Sequence, residues 1–396
     1  LYHGQEQWQE LSEVIERELA LVDMEETGQV TELKFRLGSI QETHLENPRG
    51  AVDCYRDIIE LDPAHEGARE ALERYLENED FQLEVSKLLE PIYEQYADFE
   101  RQVQVYETQV EGEDDVYSKV ELLLKIGEIH AMQRGDGEMA FDAYSRCFTL
   151  DAANETARAE LFKLAEIEDA WAKLCALFES VVDGDLDPSL QRQIFVDIAE
   201  IHDTRLDNWE KSVEFFRRAL DLDPEDRDTL EALEKLYTRR EQWAELLEIY
   251  RRKVDLSADP EEREALYFQI AYLQEEMLQQ MEDAIATYQE IVASDDTNIK
   301  AYKSLDRLHY QLENWHDLAD NLSRQLELTL DDNQEQIDLR LRLAELREAK
   351  LDETAAAVDT YREVLELDPD NQPGTAALER LLELEDHQQA VAQILE

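Results

Sequence analysis

Glycine and proline are scarce in this sequence, at 11 and 8 of 396 residues. All-β folds punctuate their strands with both, and they need runs of valine, isoleucine and threonine that are also missing here. The chain should therefore be almost entirely helical. Cysteine is scarcer still. Cys54, Cys147 and Cys175 are odd in number and lack CxxC spacing, so no disulfide framework is expected, and each falls at an apolar helix position as a small core residue. No apolar run reaches transmembrane length, and no charged leader with a cleavage motif opens the chain. The expectation is a soluble protein without membrane insertion, the cytoplasm slightly favoured and the compartment otherwise unknown.

Positive charge is also short, with 39 basic against 97 acidic residues and a formal net charge of -58. The acid is spread along the whole chain. Such a surface repels nucleic-acid phosphates and anionic membranes, which argues against DNA or RNA binding and favours cationic partners. An acidic coat also serves solubility or adaptation to salt, and the two readings stand side by side.

What is present is a repeat. Trp171, Trp243 and Trp315 lie 72 residues apart, as do Leu161, Leu233 and Leu305, then Leu164, Leu236 and Leu308, then Tyr144, Phe216 and Tyr288. A fixed period carried by several independent positions marks a solenoid, here a single array over residues 1–396. Residues 1–25 match the last helix of a preceding unit. Units follow at 26–98, 99–170, 171–242, 243–314 and 315–386, and 387–396 begins a final helix with His387 at the tryptophan position. The first unit is 19 residues too long, which predicts an extra helix near 80–97 with Pro91 kinking or breaking it. Because the pattern is cut at both ends, the chain reads as part of a longer one.

Within the unit, a small residue is followed thirteen later by Ala or Ser, four beyond by an aromatic and eight beyond that often by Pro. The sets are Gly38, Ala51, Tyr55, Pro63; Gly127, Ala140, Tyr144, Ala152; Ala199, Ser212, Phe216, Pro224; Ala271, Ala284, Tyr288, Asp296; and Ala344, Ala357, Tyr361, Pro369. Small residues let helix backbones approach, the aromatic fills the gap to the neighbouring hairpin, and Asp-Pro ends the hairpin and should cap the next helix. This set resembles the tetratricopeptide repeat, most of all the long acidic tetratricopeptide-like proteins of bacteria. The usual repeat has twelve residues between the small positions, so the turn is one residue longer here. The alternate hairpins, such as Leu230 to Val254, keep an apolar stripe and a tryptophan but lack those marks. The resemblance implies an all-α, right-handed α-solenoid of antiparallel hairpins with about twenty helices.

No catalytic pattern is found: no Gly-rich phosphate loop, no GxSxG, no HExxH, and no Cys and His pairing at useful spacing. No enzyme, cofactor or metal is expected. His130 and His202 occupy equivalent positions, where the next units have Gln274 and Arg347, so a structural role is expected. Asp183-Gly184-Asp185 resembles the start of a calcium loop but has Pro188 and Ile194 at the sixth and twelfth places, and reads as a helix cap. The periodic tryptophans read as core joints between units.

In tetratricopeptide domains the first helix of each hairpin lines a groove that holds a peptide. The resemblance therefore points to the residues one and four beyond the small position, with Glu128, Glu200, Tyr272 and Glu345 at the first place and Glu42, Asp203, Glu275 and Glu348 at the second. The track is mostly acidic and lacks the Lys, Arg and Asn set of carboxylate-clamping relatives. The expected function is a non-enzymatic scaffold binding basic or amphipathic protein segments. Head-to-tail self-assembly through solenoid ends, or service as a docking arm of a larger protein, is the alternative. One basic cluster, Arg239, Arg240, Arg251, Arg252 and Lys253, reads as ion pairing within its hairpin or as a contact for another copy. Any binding surface is expected on helices that precede the tryptophans.

Overall fold

The structure is a computed structural model and describes residues 7–23, 26–383 and 388–395. Among these residues there are 22 α-helices and no strand, so the α-solenoid of antiparallel hairpins read from the repeat is what forms. Two compact bodies divide the chain, residues 1–215 and 216–396. The first holds the helices Trp8–Leu19, Thr27–Thr43, Pro48–Leu61, Glu66–Arg74, Gln82–Tyr96, Phe99–Gly112, Val116–Glu128, Gly137–Leu150, Glu155–Glu168, Trp171–Val182 and Pro188–Thr204. The second holds Arg227–Arg239, Trp243–Leu256, Pro260–Tyr272, Met281–Ser294, Ile299–Gln311, Trp315–Leu328, Asn333–Ala349, Thr354–Leu367, Gln372–Leu381 and Gln388–Leu395. The helix Trp209–Leu222 carries the division. His387 lies outside the described residues.

Each repeat is four helices, and its hydrophobic pattern is its core. Ala199, Ala271 and Ala344 are fully buried, and the aromatics Tyr55, Tyr144, Phe216, Tyr288 and Tyr361 are nearly so. At Gly38 and Gly127 a Cβ would lie 2.8 and 2.6 Å from the rings of Tyr55 and Tyr144, so glycine leaves the room those rings fill. The periodic leucines Leu161, Leu233, Leu236, Leu305 and Leu308 are all buried. Each such side chain contributes roughly 1.5–3 kcal/mol by leaving water.

The longer turn has a single cause. In all five hairpins the residue eight beyond the small position is left-handed, with φ of 45° to 64°: Glu46, Gly135, Asp207, Gln279 and Asp352. That conformation lets the next N–H reach back six residues to a carbonyl, as in Asn47 to Gln41 (2.9 Å), Asp136 to His130 (2.9 Å), Asn208 to His202 (2.8 Å), Gln280 to Gln274 (2.7 Å) and Glu353 to Arg347 (2.9 Å). A second left-handed residue, Ala97, Asp169, Glu241 or Glu313, precedes the helices that open on Phe99, Trp171, Trp243 and Trp315, in a Schellman-type cap.

Three details differ from the sequence reading. Pro63 does not enter the first turn of the next helix, which starts at Glu66. Asp62 instead closes an Asx turn onto the Ala64 N–H (3.1 Å), and the ring nitrogen of His65 caps that helix. Pro91 neither ends nor divides the extra helix Gln82–Tyr96; it lies on the exposed side of a helix that runs through it. Elsewhere too the cap is displaced from the residues read as caps: Asp187, and not Asp183 to Asp185, caps the helix from Pro188, and Asp226 and Asn371 cap the helices after Pro224 and Pro369, while Asp259 and Asp332 accept from the first turn of the helices they precede.

Candidate functional site

The eight acidic-track residues separate into two classes. Glu128, Glu200, Tyr272 and Glu345, one residue beyond the small position, are exposed. Those four beyond are drawn inward: Glu42, Asp203 and Glu348 are half-buried and Glu275 is buried. For Glu42, Glu275 and Glu348 the reason is an ion pair to an arginine of the third helix, 32 residues on. Arg74 Nη2 donates to both Glu42 oxygens at 3.0 Å, Arg307 Nη2 to Glu275 at 2.7 Å, and Arg380 Nη2 to both Glu348 oxygens at 2.7 Å. The buried aromatic joins them, since Tyr55 Oη donates to Glu42 at 2.9 Å and Tyr361 Oη to Glu348 at 3.2 Å. Burial first, and then the neighbouring carboxylate, holds both phenols well above their usual range. Burial also raises the Glu275 carboxyl, against the pull of Arg307. These carboxylates tie first, second and third helices together, while the residues one beyond the small position remain open to solvent.

The residue three beyond the small position faces the second helix. Gln274 accepts from Thr287 (2.6 Å), Arg347 donates to Thr360 (2.7 Å), and the His202 ring lies parallel to Phe215 at 6.2 Å. His130 and His202 are buried here, and burial lowers both imidazole pKa values, so at neutral pH they are uncharged core residues. The three thiols are likewise buried and free, with burial pushing Cys54 and Cys147 up to about 11 and Cys175 to about 12. Within the basic cluster, Lys253 pairs with Glu234 at 2.5 Å across two neighbouring helices.

The tryptophans form two related cavities that the sequence reading did not place. One, of about 420 Å³, lies between Trp243, Leu246 and Tyr250 and the following helix with Phe268, Tyr272 and Met277. The other, of about 340 Å³, lies between Trp315, Leu318 and Leu322 and Arg342, Glu345 and Lys350. Both sit between a tryptophan helix and the first helix after it, and the exposed positions Tyr272 and Glu345 line them. The 72-residue spacing of the tryptophans and the 73-residue spacing of the facing residues carried that signal.

Among the described residues no group of three acidic, histidine or cysteine side chains is arranged to hold a metal ion, and no helix is long and apolar enough to cross a membrane.

Tetratricopeptide-repeat family profiles match residues 229–264, 264–297 and 338–371. These stretches carry tetratricopeptide repeats, so the resemblance read from the spacing is borne out there. The match at 229–264 falls on an alternate hairpin, so the stripe with its tryptophan satisfies the repeat even without the Ala and Pro marks. Among curated proteins none matches. Solved structures with related folds include YrrB, described as a TPR protein with an unusual peptide-binding site, at 14% identity over 53% of this chain and 98% of that one, with a TM-score of 0.27. The complex of the TPR2AB domain of yeast Sti1 with pHSP90 is 14% identical over 70% of this chain and 97% of that one, with a TM-score of 0.27. A tetratricopeptide repeat protein from Parabacteroides merdae is 12% identical over 66% and 97%, with a TM-score of 0.28.

Proposed function

We propose that the chain is a protein–protein interaction scaffold whose first helices bind basic or amphipathic segments of partner proteins. One observation carries this reading: Glu128, Glu200 and Glu345 are exposed at the same place in their hairpins, and none of them has an ion-pair partner among the described residues. By contrast, Glu42, Glu275 and Glu348, each four beyond the small position of its hairpin, hold arginines of the third helix. The tetratricopeptide-repeat resemblance implies a ligand-facing first helix, and a net charge of -58 supplies a field that draws cationic segments.

The test replaces Glu128, Glu200 and Glu345 together by lysine and measures binding of a lysine-rich amphipathic peptide by fluorescence anisotropy at low salt. Three reversed rim charges should weaken binding by about tenfold or more, with helicity by circular dichroism unchanged. Equal affinity in the triple variant would refute the assignment of these positions.

A further inference from the structure

Trp8, Trp171, Trp243 and Trp315 each open the helix before one that carries a small position, and in three of them the ring is covered by the residue six beyond that small position. The imidazole of His44 stacks on Trp8 at 3.6 Å, the Arg205 guanidinium lies 4.6 Å over Trp171, and Lys350 Nζ lies 4.7 Å over Trp315. At Trp243 the equivalent residue is Met277. The cavity there is the larger of the two, and its lining has no charged side chain. Tyr272 stands at its edge 52% exposed where the other repeats place serine or glutamate, and Met277 is 38% exposed. The turn from Leu273 to Met277 is also a π turn, a feature common at functional sites. A thioether is unbranched and polarizable, and it adapts to what it packs against.

We infer that the Trp243–Tyr272–Met277 cavity is the anchor site of the array, taking one bulky apolar side chain from a basic segment of a partner protein. The inference rests on the scaffold reading and names where such a segment is gripped. Its apolar half follows from the uncharged lining. Its basic half follows from complementarity: the chain carries -58, and the sister tryptophans accept cationic side chains over their faces. Arg251 and Arg252, exposed on the Trp243 helix, are the charges that oppose it.

The experiment uses the full chain and three labelled peptides of equal length: lysine-rich with a single central leucine, the same with glycine in place of leucine, and a glutamate-rich peptide with the leucine. Met277→Lys supplies the missing cover, and Glu276→Gln makes the same unit change of charge one residue away. The leucine-lysine peptide should bind at least fivefold more tightly than its glycine version, and Met277→Lys should remove about tenfold of its affinity, while Glu276→Gln changes it less than twofold. If the two variants weaken binding equally, the attraction is charge alone and the anchor site is refuted while the acidic scaffold reading survives. Tighter binding of the glutamate-rich peptide would overturn the basic half. Failure of both lysine-rich peptides to bind the wild-type chain would overturn the anchor site and the scaffold reading together.

Discussion

Asp197 offers the sharpest test of how the acidic surface is tied to the core. Its side chain is 8% exposed and accepts from Arg158 Nε at 2.8 Å and from Gln193 Nε2 at 3.2 Å, with a second guanidinium contact from Arg158 Nη2. Replacing Arg158 by methionine keeps the aliphatic stem but leaves a buried carboxylate without its cation, which should cost about 3 kcal/mol at pH 7. Burial already raises the Asp197 carboxyl above its ordinary value with Arg158 in place, and the variant should raise it further. A carboxyl whose folded pKa exceeds its unfolded one favours folding while protonated, so that contribution is present in acid and lost as the pH rises through the folded pKa. The deficit of Arg158→Met relative to wild type should therefore shrink as the pH falls from 7 into the carboxylate range. The assay is urea unfolding followed by circular dichroism across that range, in a double-mutant cycle with Asp197→Asn. With the charge already removed, Arg158→Met should cost less than about 1 kcal/mol. Additive effects of the two substitutions, or a deficit that does not change with pH, would refute the argument.

Leu233→Ala should cost about 2–5 kcal/mol, because Leu233 is 1% exposed, and a loss below about 1 kcal/mol in chemical denaturation would show that the packing register is misread. Gln279→Gly should raise the unfolding midpoint, since Gln279 holds φ 58° without being glycine, by up to about 1 kcal/mol; no gain would mean that its side chain repays the strain. Glu348→Gln should cost about 1–3 kcal/mol by loosening Arg380 and Tyr361 together, and Glu345→Gln, three residues away and exposed, should cost less than about 0.5 kcal/mol. Equal losses from those two would erase the distinction between tying and exposed carboxylates.

Much of the architecture was legible because spacing carries it. The 72-residue recurrence of tryptophan, leucine and aromatic positions fixes helix count and hairpin order, and thirteen residues between small positions reveal a longer turn. How that turn is made was not legible. Glu46, Asp207, Gln279 and Asp352 adopt the left-handed conformation that only Gly135 advertises by its chemistry. Nor did the acidic track announce its two classes, since Glu275 and Glu345 are the same letter. What separates them is the arginine 32 residues on, as in Arg74, Arg307 and Arg380, and that pairing lies in the sequence for a reader who looks past the hairpin. The run Gln41, His130, His202, Gln274, Arg347 was likewise visible as one series, and its shared burial comes from the facing second helix.

The 32-residue ties begin and end inside a single repeat, which bears on how such a chain can change its length. Duplication or loss of a whole 72-residue stretch carries both ends of each of these ties with it and strands neither member. A cut between the first and third helices would strand one of each. The single departure from the period obeys this constraint, because the helix Gln82–Tyr96 enters after Arg74 has already met Glu42. Gene rearrangement is thereby channelled toward whole repeats, or toward additions at places where no tie is open.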